Sequence, residues 1–120
     1  MAVEIGIKGL EEVNLTIPQG ATLAFTIVHK DEDGHYVDHS ASTIVMAFQS
    51  KYGKTTTGTS QFCTGTETGI SVMLPASFTE TLPKGKLVWD IFATIQDGPT
   101  FRMAYGTVTV VDTYALDEGE

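Results

Sequence analysis

The sequence predicts an all-β fold, a single antiparallel β-sandwich or a small barrel of about seven to eight strands. Apolar and polar residues alternate along several short stretches, which is the period of a half-buried strand. Turn residues recur about every 8–12 residues, and no stretch sustains a helical period. The length of 120 residues, with no internal repeat, predicts one domain over residues 1–120.

The first half of the chain contains three predicted strand regions. Apolar residues alternate over residues 3–7 and again over residues 13–17, which indicates two short strands or one bent strand. After a Pro-Gln-Gly turn, residues 22–29 have the pattern of a half-buried strand. Residues 42–49 carry apolar side chains on both faces, so we expect a central strand there.

The next segments are shorter. Residues 50–60 are rich in Lys, Gly and Thr, which indicates a loop or an exposed edge strand. Residues 61–64 and 70–74 flank a turn and predict a short hairpin. The only predicted helical turn lies within residues 75–82, where Ser77 and Glu80 have the spacing of a capping box.

A long β-hairpin over residues 87–111 is the strongest prediction. Leu87, Trp89 and Ile91 begin an alternating run, and a second run follows the Asp97-Gly98-Pro99 break. Asp-Gly supplies the positive φ of a tight reversal, and proline cannot extend the ladder. The only tryptophan would therefore form part of the core wall. Residues 1–8 and 112–120 are expected to be extended arms that can order on a partner.

Composition excludes some partners. A net charge of −8 disfavours binding to nucleic acid or to anionic lipid. A single cysteine rules out an intramolecular disulfide, and no signal peptide or membrane span is predicted, so we expect synthesis in a reducing cytoplasm. No membrane, nucleic acid or cofactor is therefore expected to be a partner.

One cluster has the residue types of a metal site. Its members are Asp31, Asp33, His35, Asp38 and His39. The cluster lacks the later ligands of a calcium loop, and Gly34 argues against a helix that would align the histidines. A solvated β-turn is the favoured interpretation, and no metal site is predicted.

No catalytic group is predicted. Cys63 lies in a short apolar strand without a neighbouring base, so we expect a buried structural thiol. Ser77 is not in a nucleophile elbow. Asp90 interrupts an apolar strand, and we expect it to face solvent, accept hydrogen bonds or pair with Arg102.

Several segments are candidates for pairing with another chain, because Thr-rich and alternating stretches are typical of edge strands. Ordinary edges of a monomer are the alternative interpretation. The partner-binding candidates are Val3, Ile5, Ile7, Tyr52, Thr55, Thr57, Tyr114 and Leu116.

The order of these signals resembles a known family. Ala21 to Ile27 is followed by Asp33-Gly34-His35-Tyr36-Val37-Asp38, and later come Gly69-Ile70-Ser71-Val72-Met73-Leu74, Val88-Trp89-Asp90-Ile91 and Gly106-Thr107-Val108-Thr109-Val110. Nearly the whole chain thus resembles the immunoglobulin-like β-sandwich domain of tailed-phage virion proteins, such as the amino-terminal domain of upper-baseplate and fibre proteins. In that resemblance Asp90 matches an aromatic-Asp position of the penultimate strand.

The resemblance implies a non-enzymatic structural protein of a virion, a homo-oligomer whose partners are other phage structural proteins. Fibre proteins would continue beyond a position like Glu120, so a capsid decoration or cement protein is expected first, docking on the major capsid protein through sheet edges and terminal arms. A tail, baseplate or fibre adaptor is the alternative. A carbohydrate- or ligand-binding sandwich is more distant and would use Tyr36, Tyr52 and an exposed Trp89.

Overall fold

The described part of the chain is an all-β sandwich, as predicted. The computed structural model describes residues 2–7, 11–50 and 56–112, with side chains for residues 11–50 and 56–112. This part contains ten strands in two sheets that share one core. The strands are β1 (Ala2–Ile7), β2 (Glu11–Glu12), β3 (Leu15–Pro18), β4 (Leu23–His29), β5 (Thr43–Ser50), β6 (Thr56–Gly58), β7 (Cys63–Gly65), β8 (Gly69–Leu74), β9 (Gly85–Thr94) and β10 (Thr100–Val111).

The smaller sheet has the strand order β1-β4-β8-β7. Strand β8 pairs antiparallel with β4 and with β7, and the β7–β8 pair is the predicted short hairpin. The larger sheet has the order β2-β10-β9-β5-β6, with β3 also paired to β10. Strand β5 is central, as its two apolar faces predicted, because β9 and β6 pair on its two sides.

The amino-terminal strands lie in opposite sheets. Strand β1 pairs parallel with β4 at the edge of the smaller sheet, whereas β2 and β3 pair parallel with β10 in the larger sheet. These regions are therefore separate strands and not one bent strand. The remaining pairs are antiparallel, so each sheet combines antiparallel pairs with parallel pairs at one edge. The described part of the chain has ten strands, more than the seven to eight expected.

The core lies between the sheets. Alternation turns Phe25 and Ile27 of β4 and Met46 and Phe48 of β5 into the same core, where all four are almost fully buried. Trp89 is 3% exposed, contacts Phe25 edge-on, and donates its Nε1–H to the carbonyl of Val13 at 2.8 Å. The indole thus joins the β2–β3 connection to β9 while it fills the core.

The β9–β10 hairpin confirms the strongest sequence prediction. Asp97 has a φ of 56°, and Gly98 donates its N–H to Ile95 O, which closes the turn. A β-bulge then interrupts the register between Arg102 and Ala104. Met103 and Ala104 are consequently both buried, and the strict alternation expected through Tyr105 ends at the bulge.

The predicted helical turn exists, but its predicted cap is wrong. The helix α1 covers Ala76–Thr79, and Pro75 occupies the N-cap without a side-chain hydrogen bond. Proline presets the extended entry to the helix, so Ser77 lies inside the turn and does not cap it. Thr79 instead anchors the turn: its Oγ1–H donates to Ala21 O, and its Oγ1 accepts from the Gly20 N–H.

Candidate functional site

The outer face of the larger sheet presents a regular array of side chains, which we call the outer-face patch. Three neighbouring strands contribute three residues each, in rows set by the pairing register. All nine side chains are exposed or half-buried. The rows are Val45, Phe92 and Arg102; Ala47, Asp90 and Tyr105; and Gln49, Val88 and Thr107.

Arg102 organises the patch. Its guanidinium carbon lies 5.0 Å from the centre of the Tyr105 ring and 6.0 Å from that of Phe92. Its Nη2 is 3.8 Å from Asp90 Oδ2, so the expected pairing of Asp90 with Arg102 is confirmed. Both charged side chains remain about half exposed, at 45% and 40%. The patch therefore combines aromatic and aliphatic surface with one neutralised charge pair.

A shallow cavity of about 560 Å³ opens within the patch. Ala47 and Val88 contribute apolar surface, while Gln49 and Thr107 contribute polar groups. Glu12 of β2 borders the cavity on the β10 side. An apolar surface with polar groups around it can accept either a protein side chain or a small polar ligand.

The predicted partner-binding residues are distributed along sheet edges. Val3, Ile5 and Ile7 lie on edge strand β1, in register with Phe25, Ile27 and His29. Thr57 lies on β6, an edge strand of the larger sheet, and pairs with Phe48. Tyr52, Thr55, Tyr114 and Leu116 lie outside the described residues.

The expected amino-terminal arm is mostly an edge strand, since residues 2–7 pair with β4. Of the expected carboxyl-terminal arm, the structure describes only Asp112, whose Oδ1 is 3.0 Å from Lys84 Nζ.

Three of the five cluster residues, Asp31, Asp33 and His35, lie in the predicted solvated turn. Asp31 Oδ1 accepts the backbone N–H groups of Asp33 and His35, both at 2.9 Å, and Gly34 adopts a φ of 83°. The hydrogen bond from the His35 N–H is the main reason that the pKa of Asp31 is lowered. The turn places potential ligand atoms of Asp31, Asp33 and His35 within 4.8 Å of one another.

The other two members of the acidic cluster lie apart from that turn. Asp38 accepts the Ser40 hydroxyl at 2.6 Å and the Ser40 N–H at 2.8 Å, and the hydroxyl is the main cause of its lowered pKa. His39 is fully buried. The five cluster residues therefore do not share one site.

Two other predicted roles have clear outcomes. Cys63 is partly buried and not fully buried as expected, and this burial raises the pKa of its thiol to about 11. Trp89 is buried, so it does not form the exposed ring that the carbohydrate-binding hypothesis required. Tyr36 is 55% exposed, but it lies on the solvated turn and not on the outer-face patch.

Sequence reasoning missed a buried histidine pair. His29 Nδ1 and His39 Nε2 are 2.8 Å apart, and the stacked rings have centres separated by 5.1 Å. His29 follows Phe25 and Ile27 at a spacing of two residues, so the alternation of the strand could have predicted that its side chain points into the core. Its partner comes from a connecting segment and had no comparable signal.

No protein-family model matches the chain, and no curated protein matches it. A function for this chain is therefore proposed from its architecture and side-chain geometry. Among the described residues, no helix is long and apolar enough to cross a membrane.

Proposed function

We propose that this chain is a non-enzymatic structural protein of a tailed-phage particle, a capsid decoration or cement protein that docks on the shell. A tail, baseplate or fibre adaptor is the alternative location. The outer-face patch is the observation that supports docking, and the order of sequence signals supports the choice of particle. Each part has its own test.

The composition of the patch favours a protein partner. Tyr and Arg are enriched among the residues that contribute most to protein–protein binding, and Arg102 lies over Tyr105 and Phe92. Val45 is 54% exposed at the edge of this array. Three adjacent strands hold the backbone beneath these side chains in a fixed register, so little backbone conformational entropy is lost when a partner covers them.

The net charge of the chain indicates what kind of protein partner would bind the patch. The chain carries a net charge of −8, whereas the charge pair of Arg102 and Asp90 leaves the patch itself neutral. A complementary subunit would place an apolar side chain in the cavity and carry basic residues around the contact, which would also accelerate association. The proposed occupant is therefore a protein subunit with a basic docking surface.

Edge strands offer a second contact to the same assembly. Strand β1 pairs with β4, and β6 with β5, at the edges of their sheets, so each is placed for strand addition. The candidates Val3, Ile5, Ile7 and Thr57 remain proposed contacts of these edges. A symmetric particle would present repeated partners, in keeping with the expected homo-oligomer.

The decisive experiment is co-sedimentation of purified chain with particles from its source that have been stripped of this protein. We expect Val45→Asp and Arg102→Ala each to weaken binding at least about tenfold, because the first buries a charge in the apolar part of the contact and the second removes the guanidinium that lies over Tyr105. Met73→Asp is the matched control, since Met73 is 58% exposed on the smaller sheet. Circular dichroism would verify that all three variants fold.

The outcomes separate the two parts of the proposal. Wild-type binding by both patch variants would refute docking through this face. Absence of the chain from purified particles, measured by quantitative mass spectrometry against the major shell protein, would refute a virion location. A copy number comparable with that shell protein supports decoration, and a much lower number supports the tail alternative.

The cavity supports a second candidate function, that of a carbohydrate-binding module. Gln49, Asp90 and Arg102 supply amide, carboxylate and guanidinium groups that can bond to sugar hydroxyls beside the Tyr105 ring. Titration calorimetry with neutral oligosaccharides would test this function. Saturable binding that Tyr105→Ala abolishes would support it, and no heat with any oligosaccharide of a broad panel would exclude it.

A further inference from the structure

The buried histidine pair closes one end of the sandwich. His29 ends β4, and His39 lies in the connection over residues 30–42 that leads to β5. The two side chains are almost completely inaccessible, with residue exposures of 4% and 0%. Phe101 of β10, in the opposite sheet, packs edge-on with its ring centre 5.0 Å from that of His29. The pair therefore lies where the connection meets both sheets.

The same residues anchor the connection through their backbones. The His39 N–H donates to Thr66 O at 2.8 Å, and the His29 N–H donates to Thr68 O at 2.9 Å, so both contact the β7–β8 turn. Val37 donates its N–H to His29 O at 2.9 Å. A Cβ built on Gly65 would lie only 1.8 Å from His39 O, so a glycine is needed for this approach.

The hydrogen bonds of the histidine pair restrict how many protons the two rings can carry. One N–H lies between the two rings, and His39 Nδ1 contacts Ser42 Oγ at 2.9 Å on its other side. Two neutral tautomer arrangements satisfy these bonds, because the serine hydroxyl can donate or accept. A first added proton places a charge in the core, and a second puts N–H groups on both facing nitrogens and breaks the ring–ring bond.

Among the residues that the structure describes, few charged groups lie near the pair. The carboxylates of Asp31 and Asp38, both on the connection, favour the charged rings. Strand β10 contributes Phe101, which is neutral, and the β7–β8 turn contributes the carbonyls of Thr66 and Thr68 while Glu67 is exposed. The neighbouring Arg102 pairs with Asp90 on the outer face.

We propose that the His29–His39 pair is an acid-sensitive latch that holds residues 30–42 on the β7–β8 turn when neutral and releases them when protonated, while both sheets stay folded. Burial lowers the pKa of both histidines below the ordinary 6.5, and for His39 the charge of His29 lowers it further. The latch is therefore complete above pH 6.5 and is lost as the pH falls through the lowered pKa values of the pair.

The test follows the intact chain by NMR between about pH 7.5 and pH 5, a range that spans histidine titration. Side-chain shifts report the protonation of each histidine. Amide exchange, corrected for intrinsic rates, reports release. We expect His29 and His39 to take up protons at lower pH than the histidines of the chain unfolded in urea. We also expect protection of the Val37 and His39 amides to fall at least about tenfold more than that of β9 amides.

Variants separate a latch from a structural role. His39→Gln retains hydrogen-bonding groups but removes one of the two titrating rings, so protection over residues 30–42 should depend less on pH than in the wild type. His35→Gln removes an exposed histidine of the same connection and should respond like the wild type. If His39→Gln does not fold, the wild-type titration still decides.

Three results would overturn the proposal. The first is uptake of protons by the pair without loss of protection. The second is simultaneous loss of β9 protection, which would be global unfolding. The third is an unchanged acid response in a folded His39→Gln variant.

Discussion

Two buried threonines show how differently the same residue can contribute to stability. The Thr79 hydroxyl donates to Ala21 O at 2.8 Å and accepts the Gly20 N–H at 3.1 Å. The Thr59 hydroxyl is equally buried, but it has no hydrogen-bond partner among the described residues. An unsatisfied buried hydroxyl costs free energy, whereas a satisfied one stabilises the groups that it joins.

Replacing each threonine with valine should therefore change stability in opposite directions. Thr59→Val keeps the shape and removes the unsatisfied hydroxyl, so we expect the free energy of unfolding to rise by about 1 kcal/mol. Thr79→Val leaves two backbone groups without a partner and should lower it by about 1–3 kcal/mol. Urea denaturation measures both, and equal effects of the two substitutions would contradict the prediction.

The Cys63 thiol should react slowly in the folded protein. Its pKa is raised from 9.0 to about 11 because burial disfavours the thiolate. At pH 8 that shift reduces the reactive fraction about 100-fold relative to the unfolded chain. A disulfide reagent such as Ellman's compound measures the rate in buffer and in denaturant, and native rates within tenfold of the unfolded rate would disprove the prediction.

At the scale of elements, alternation predicted the strands but not their partners. Strands β4, β5 and β9 have a period of two over most of their length, so their existence followed from local sequence. The parallel pairing of β3 with β10 joins Leu15 to Val108, and no local pattern specifies so distant a partner. The bulge after Arg102 also depends on tertiary packing.

Prediction of the candidate site was limited in the same way. The Asp90–Arg102 pair was anticipated from the hairpin, because register within a hairpin is local. The outer-face patch also needs β5, which lies far away in sequence and joins β9 only in the folded sheet. The histidine pair depends on a connection whose path has no periodic signal.

Gly106 determines how closely the amino-terminal strands approach β10. A Cβ built there would lie 2.0 Å from Val13 O, so Gly106→Ala must displace the β2–β3 connection. We expect a loss of about 3 kcal/mol in the free energy of unfolding. The emission of Trp89 should also shift to longer wavelength, since its indole donates to the same carbonyl.

Gly58→Ala is the control for that experiment. A Cβ on Gly58 would have nothing within 4 Å, so this variant should remain within about 0.5 kcal/mol of the wild type. Equal effects of the two substitutions would show that general glycine effects, and not the contact with Val13, determine the result.

For the whole molecule, net charge should dominate the response to salt. A charge of −8 repels itself, whereas the ion pairs Lys84–Asp112 and Arg102–Asp90 are half exposed and contribute little. Raising NaCl from about 20 to 200 mM shortens the screening length severalfold, so the midpoint of thermal unfolding should rise. A midpoint that falls with salt would mean that attractive pairs dominate.

A charge variant provides the control for the salt experiment. Glu32 and Glu67 are both exposed, so replacing them with glutamine removes two negative charges without disturbing the core. The double variant should unfold at a higher temperature in low salt and respond less to added NaCl. An unchanged salt response would show that the overall charge is not the cause.

The pairing of early strands with the last one affects how the protein folds during synthesis. Asn14 accepts hydrogen bonds from Thr107, 93 residues further along the chain, and β3 has its pairing partner in β10. While a ribosome is still translating the central strands, β3 has no partner and the larger sheet has an open side. The sandwich can therefore be completed only after β10 emerges. A nascent chain stalled before Thr100 would expose an unpaired strand edge, which is prone to aggregation and can bind chaperones.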